Sequence, residues 1–378
     1  MSESSFDTKV VHHKLDQQQV PNSKSTPIYQ TSAFTFKDLD HLESYYEGDS
    51  PYLYTRERNP NTDELSGTVA QLEEAPAGVA TSSGMSAILA GILSVAKPGD
   101  HIIAAEDLYG GTHKLITKEL STFGIDVTMV SFAELEEVEE AVQENTRLLY
   151  TESISNPFLR VEDLAGLVKL AKEKGLKTMV DNTFATPYLL QPYTSGIDLV
   201  VHSGTKYIGG HSDVTCGVLV GDQMLVQEAT SKVVTLGANL SPFEAWLTQR
   251  GAKTLGLRMK QQSTNAEQVA KALKKHAGVR TVYYPEYVSD RGHGAIVTIE
   301  LDEKVNVETF FQSLGWIKIA PTLAGVETTI SYPVRTSHRA LSEKEKENIG
   351  INDYVIRLSI GIEDSEDIIN QLTLAIEA

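Results

Sequence analysis

Between residues 61 and 240, short apolar runs alternate with longer amphipathic ones, and this alternation constrains the fold more than any other feature of the chain. Residues 102–105, 127–130, 148–150, 179–180 and 199–202 are strand-like, and helical candidates such as residues 163–174 separate them. Strands that take turns with helices read as crossover units, which predicts an α/β fold with a mostly parallel sheet covered by helices. The acidic run 134–140 reads as a solvated helix face. Residues 214–220 read as a strand that buries Cys216, and because this is the only cysteine, no internal disulfide forms. Residues 1–60 are polar, rich in Gln, Ser, Tyr and Pro, and show no sustained period, so they predict an extended N-terminal arm. A long helical stretch at 242–275 leads into an ordinary α/β segment, with strands at 279–284, 295–301 and 354–360 and helices at 307–314 and 366–375. The expected division is an arm (1–60), a large domain (61–242), and a linking helix with a smaller C-terminal domain (243–378).

Chemistry concentrates in residues 200–213, Val-Val-His-Ser-Gly-Thr-Lys-Tyr-Ile-Gly-Gly-His-Ser-Asp, where Lys206 stands among small hydroxyl residues just after an apolar run. A lysine in a concave, partly dry site loses preference for its charged form, and its amine becomes available to form a Schiff base with a carbonyl. Ser203 and Thr205 are the right size to hydrogen-bond a phosphate. Alone, the run would also suit a strand-to-turn segment with a surface lysine. Upstream, the apolar run ending at Val180 gives way to Asp181, Asn182 and Thr183, and side chains at the carboxyl ends of strands line the ligand crevice of open α/β sheets. An aspartate there could sit against a cofactor ring nitrogen, or simply in a turn. Residues 80–89, Ala-Thr-Ser-Ser-Gly-Met-Ser-Ala-Ile-Leu, pass from small polar residues into a helix-like run, and free N–H groups at a helix start bind phosphate. Any helix cap has this form. The order along the chain, phosphate turn, aspartate, then Ser-x-Thr-Lys, is far more specific than each piece.

With these motifs the chain resembles the Cys/Met-metabolism pyridoxal-phosphate enzymes, which include cystathionine γ-synthase, the cystathionine lyases, methionine γ-lyase and the O-acylhomoserine sulfhydrylases. Matching segments run from Thr26-Pro-Ile-Tyr-Gln-Thr-Ser to Arg357-Leu-Ser-Ile-Gly, nearly the whole chain. The resemblance implies a fold type I architecture, with pyridoxal 5′-phosphate held between the large and the smaller domain. It makes Lys206 the lysine that binds the cofactor covalently and Asp181 the partner of the pyridine nitrogen, with Thr183 nearby. It places Gly84, Met85, Ser203 and Thr205 at the phosphate and Asn156 near the ring hydroxyl. Tyr109 matches the tyrosine that stacks on the ring and helps move protons. Tyr54-Thr-Arg-Glu-Arg-Asn-Pro-Asn matches a family segment whose tyrosine and arginine, here Tyr54 and Arg56, reach the neighbouring subunit's phosphate site, with Asn61 in place of the usual threonine. Arg357 takes the place of the arginine that binds the substrate α-carboxylate, and Thr322 that of a serine assisting it. No metal is implied.

Two departures bear on substrate. The cystathionine γ-synthases and γ-lyases usually carry a glutamate before that serine, able to engage the distal amino group of cystathionine, where this chain has Pro321. Methionine γ-lyases usually carry a cysteine after Tyr-Gly, and here the position is Gly111. The expectation is a carbon-sulfur lyase that cleaves cystathionine or related amino acids to a 2-oxo acid, ammonia and a thiol. An O-acylhomoserine-dependent γ-replacement enzyme is the alternative. A formal charge of -18 argues against nucleic acid and anionic membranes as partners. No apolar stretch approaches the ~20 residues that span a bilayer, and the start of the chain lacks signal-peptide character, so a cytoplasmic enzyme is expected. The family match of the arm implies a homo-oligomer, at least a dimer and expected as a dimer of dimers.

Overall fold

The computed structural model describes residues 5–12, 23–336, 339, 344, 346 and 350–378. Seven strands form the larger sheet: β1 (Ala77–Thr81), β2 (His101–Ala105), β3 (Asp126–Val130), β4 (Thr146–Glu152), β5 (Lys177–Asp181), β6 (Leu199–His202) and β7 (Gly217–Gly221). Their order is β1-β7-β6-β5-β4-β2-β3, and β7 alone runs against its neighbours. β2, β6 and β7 are buried at every position, as strands are when helices cover both faces of a parallel sheet. The covering helix Leu164–Lys174 shows how local sequence sets its ends. Asp163 accepts a hydrogen bond from the Gly166 N–H at 3.0 Å, and Gly175 closes the helix at φ 69°. Leu164, Leu167, Val168, Leu170 and Ala171 form the buried face between these caps.

The smaller sheet contains β8 (Val279–Tyr283), β9 (Ile296–Leu301), β10 (Lys318–Ile319), β11 (Thr329–Ser331) and β12 (Val355–Ser359), in the order β10-β11-β12-β9-β8. Each sheet has its own apolar core. Helix Leu255–Leu273 joins them, with Leu255 and Met259 in the first core and Ala266, Val269, Ala270 and Leu273 in the second.

The sequence read 242–275 as one helical stretch, but two helices are present, Pro242–Ala252 and Leu255–Leu273. The break is a tertiary effect. The Gly251 carbonyl accepts from the Thr254 N–H at 3.1 Å and from Arg258 Nη2 at 2.8 Å, which turns it away from the helical ladder. The arm also contains regular structure, Phe6–His12 and Leu39–Tyr46. The second of these buries no residue, so it left no apolar period to read. The arm residues 1–4 and 13–22 lie outside the described residues. Asn61, which departs from the family's threonine, is fully buried and holds the arm: its Oδ1 accepts from the Tyr29 N–H at 2.8 Å and its Nδ2 donates to the Pro27 carbonyl at 2.8 Å.

Candidate active site

The residues expected to carry chemistry gather at the carboxyl ends of the parallel strands, where the two sheets meet. Asp181 ends β5 and Glu152 ends β4, paired in register. Lys206 follows β6, and Arg357 comes from β12 of the other sheet. Lys206 Nζ donates to Thr322 Oγ1 at 3.0 Å. Burial, followed by the positive charge of Arg357, lowers its ammonium to about 8. The nucleophilic free amine is therefore brought nearer to neutral pH, where the ammonium still predominates.

Asp181 Oδ1 accepts from the Thr183 N–H at 2.9 Å. Burial raises its carboxyl, while the Thr183 hydroxyl and N–H and the nearby His202 act in the opposite direction. Thr183 Oγ1 also accepts from the Ser203 N–H at 2.8 Å, so one hydroxyl ties Asp181 to the loop that carries Lys206. Glu152 is pushed well above the usual carboxylate range, first by burial and next by the charge of Asp181. The second carboxyl of the pair is thus the neutral one. Its Oε1 accepts from the Tyr109 N–H at 2.7 Å, which fixes the start of the segment carrying the Tyr109 ring, itself 47% exposed.

Helix Gly84–Val95 begins against the Lys206 loop. Ser83 caps it by accepting from the Ser86 N–H at 3.1 Å, and the N–H groups of Gly84 and Met85 lie in the first turn, where no intrahelical acceptor exists. A Cβ at Gly84 would stand 2.9 Å from Ser203 Cβ, so only glycine allows this approach. Helix start, Ser203, a lysine of lowered pKa and a half-buried aspartate together fit a phosphate-bearing cofactor with a ring nitrogen and an aldehyde.

Two residues, Thr205 and Thr322, are placed differently from the sequence reading. Thr205 Oγ1 donates to the Cys216 carbonyl at 3.2 Å and accepts from the Cys216 N–H at 3.0 Å, which leaves no donor for an anion. Thr322 pairs with Lys206, and the hydroxyl that assists Arg357 is instead Ser331, which accepts from Nε at 3.2 Å. Asn156 Oδ1 accepts from Arg357 Nη1 at 3.0 Å, so Asn156 orients the guanidinium. Arg357 is 4% exposed, and burial lowers it to about 10. At Gly111 a Cβ would stand 2.5 Å from Tyr109 Cε1, so a cysteine there would require the Tyr109 ring to move.

Tyr54 and Arg56 do not join this cluster within the chain. The Arg56 guanidinium lies 5.5 Å from the Tyr54 ring centre, and its Nη1 donates to the Val234 carbonyl at 3.3 Å. Arg56 borders a separate open groove of about 1660 Å3, with Tyr52, Gly78 and Val79, that Lys206, Asp181 and Arg357 do not line.

Sequence reasoning assigned no role to Arg258, Glu152, Glu73 or His202. Arg258 donates to the carbonyls of Tyr207 at 2.7 Å, Ile208 at 3.3 Å and Gly251 at 2.8 Å, and so fixes the turn after Lys206. Its signal was an arginine on the buried face of a helix, between Leu255 and Met259.

A model of the family described as Cys/Met metabolism PLP-dependent enzyme matches residues 7–377. The cystathionine beta-lyase of Lactococcus lactis subsp. cremoris (strain MG1363) is 39% identical over 385 residues, covering 99% of each chain. Among solved structures, the cystathionine gamma-lyase from Lactobacillus plantarum complexed with L-serine superposes with a TM-score of 0.93 at 35% identity, covering 99% of each chain. A putative O-acetylhomoserine (thiol)-lyase from Campylobacter jejuni, which carries an N'-pyridoxyl-lysine-5'-monophosphate, superposes with a TM-score of 0.91 at 30% identity, covering 99% of this chain and 100% of that one.

Proposed function

From the premise that the chain belongs to the family of Cys/Met-metabolism pyridoxal-phosphate-dependent enzymes, we propose that it is a carbon-sulfur lyase acting on cystathionine or a related sulfur amino acid. Its cofactor is pyridoxal 5′-phosphate, which supplies the electron sink for a broken Cα–H bond. One observation carries the reading: Lys206, lowered to about 8, shares its pocket with Arg357, the buried cation suited to an α-carboxylate.

Each residue then has a defined task. Lys206 Nζ would hold the cofactor, and its free amine is the group that would accept the α-proton. Thr322 Oγ1, which accepts from that ammonium at 3.0 Å, keeps it on one side of the pocket. Arg357, oriented by Asn156 and Ser331, binds the substrate carboxylate and aligns the Cα–H bond. Asp181 would be the partner of the ring nitrogen. The first turn of helix Gly84–Val95 and Ser203 receive the phosphate. Tyr109, anchored through its N–H by Glu152, would lie against the cofactor ring and could move a proton at the leaving group. Residues 61–242 hold the cofactor and residues 243–378 bring Arg357 and Thr322 to it. Tyr54 and Arg56 complete the phosphate site of a second copy, which makes the enzyme at least a dimer, and a dimer of dimers in full assembly. A formal charge of -18 and a single cysteine suit a cytoplasmic protein.

Pro321 supports a second reading, γ-replacement on an O-acylhomoserine, since such a substrate has no distal ammonium for the missing glutamate to engage. The test is product analysis on L-cystathionine, L-cysteine, L-methionine, and O-acetyl-L-homoserine with sulfide. β-Cleavage of cystathionine with water gives pyruvate, ammonia and homocysteine. γ-Cleavage gives 2-oxobutyrate, ammonia and cysteine. Release of either 2-oxo acid from cystathionine is expected; turnover of the acylated homoserine alone would select the second reading.

A further inference from the structure

One row of the smaller sheet meets the larger domain residue by residue. Across adjacent strands the register places Ser331 of β11 beside Arg357 of β12, Arg357 beside Thr298 of β9, and Thr298 beside Tyr283 of β8. Residues directly opposite one another on neighbouring strands project to the same face, so this row presents one edge to one loop. Three of its members hold three consecutive residues of the loop that follows β4. Arg357 Nη1 donates to Asn156 Oδ1 at 3.0 Å. Thr298 Oγ1 donates to the Pro157 carbonyl at 2.6 Å. The Tyr283 ring centre lies 4.7 Å from that of Phe158, with 57° between the ring planes. The fourth member, Ser331, accepts from Arg357 Nε at 3.2 Å.

The loop is anchored in the larger domain. Arg160 donates to both Asp107 carboxylate oxygens, at 3.1 and 2.9 Å, and to Glu162 at 2.9 Å, and the Ser155 N–H donates to the Arg160 carbonyl at 2.9 Å. Thr298 is 0% exposed, and its neighbours Val297 and Ile299 point the other way, into the core of the smaller sheet. A hydroxyl buried there is costly unless bonded, and its partner belongs to the other domain. An arginine recognises a carboxylate through a planar fork that must be aimed. Ser331 and Asn156 occupy two of the five N–H donors of Arg357, so a substrate carboxylate must take its bonds from the rest. Asn156 and Ser331 lie in different domains, and their agreement on one guanidinium position depends on how the domains are seated.

We propose that Thr298, with Tyr283, is the positioning group that seats the smaller domain on residues 156–158 and thereby fixes Arg357 for the α-carboxylate of the substrate. The inference rests on the active-site reading above. Thr298 acts through the loop and Arg357 rather than on the substrate. Without its hydroxyl the Pro157 carbonyl loses this donor, the seated arrangement becomes one of several, and apparent affinity for a carboxylate falls by the fraction that stays competent.

Thr298→Val keeps the shape and removes the hydroxyl. The test titrates this variant, as holoenzyme, with L-alanine and with ethylamine, which is the same skeleton without the carboxylate; binding is read from the change in cofactor absorbance. The dissociation constant of L-alanine is expected to rise roughly tenfold while that of ethylamine stays unchanged. Thr298→Ser, which restores the donor, should return L-alanine to the unaltered value. An unchanged constant for L-alanine, an equal loss of both ligands as a merely structural role would give, or a Thr298→Ser variant as weak as Thr298→Val would each overturn the inference. Should Thr298→Val not fold, Tyr283→Leu, at the half-buried end of the row, takes the same two probes. Selective loss of L-alanine then supports the inference, and an unchanged constant or an equal loss overturns it. A failure of the premise is separate: if Arg357→Ala also binds L-alanine at the unaltered affinity, Arg357 does not receive the carboxylate and the active-site reading is defeated, whatever Thr298 does.

Discussion

At the scale of single residues, Lys206 has two opposite effects, one on function and one on stability. The same burial that makes its amine available makes the charged form costly in the cofactor-free protein. Unfolded, the side chain titrates at its ordinary 10.5, and folded at about 8. Between these values the unfolded chain binds the additional proton, so this group's contribution to stability rises with pH and the penalty is fully present below about 8. The difference amounts to about 3 kcal/mol at most. Lys206→Met should therefore raise the melting temperature of cofactor-free protein at pH 7, with the advantage shrinking toward pH 10; thermal scans of both proteins at the two pH values measure it, and a pH-independent difference would show that lysine titration is not responsible. Lys206→Met should also have no turnover. Asp181 calls for the reverse experiment. Asp181→Asn keeps the size and the Thr183 contact but removes the charge, and kcat should fall by roughly 10²–10³, or about 3–4 kcal/mol, with cofactor still bound. Near-normal kcat, measured at saturating substrate, would mean that another group serves the ring nitrogen.

At the scale of elements, the close approach of helix Gly84–Val95 to the Lys206 loop is what makes a phosphate site. Gly84→Ala places a methyl 2.9 Å from Ser203 Cβ, against a neighbour fixed by its N–H bond to Thr183. The helix start must shift, so cofactor affinity should fall at least about tenfold, or ~1.4 kcal/mol, while far-ultraviolet circular dichroism stays unchanged; equilibrium dialysis that finds unaltered affinity would place the phosphate elsewhere. This element scale is also where the sequence was most and least informative. Asp181, Ser203 and Lys206 were legible because the turn after a parallel strand is read from a few adjacent residues. The break at Lys253 and Thr254 was not, because Arg258 makes it by reaching the Gly251 carbonyl, a contact without local pattern. Strands β10 and β11 have two and three residues, too short for alternation to register. The hydroxyl assignments suffered for a related reason: sequence places Thr205 and Thr322 near the right loop, but only packing decides that one faces Cys216 and the other Lys206.

At the scale of the whole molecule, the position of Arg56 requires an explanation that a single chain does not supply. Its guanidinium is paired with a main-chain carbonyl, with its side chain 45% exposed, and it borders a groove that Lys206 does not line. Yet the arm is not loose there: Asn59 donates to the Tyr29 carbonyl at 2.9 Å, Asn61 holds Pro27 and Tyr29, and Trp246 donates to the Thr26 carbonyl at 2.9 Å. A firmly seated arm that presents a planar cation outward suits reciprocal completion of two sites across a two-fold axis. The proposal makes a specific prediction for mixtures. Arg56→Ala lacks the donated cation but keeps Lys206, and Lys206→Ala lacks the amine but keeps the arm. In a mixed dimer, one of the two sites combines an intact Lys206 from one subunit with an intact Arg56 from the other. Activity of the mixture under conditions of subunit exchange should therefore rise above that of either variant alone, toward a fraction of the unaltered enzyme. Exchange is verified by mass tagging one variant. If tagged mixed dimers form and activity stays at the level of the separate proteins, Arg56 acts within its own chain, and the shared-site assembly is wrong even though the Lys206 chemistry stands.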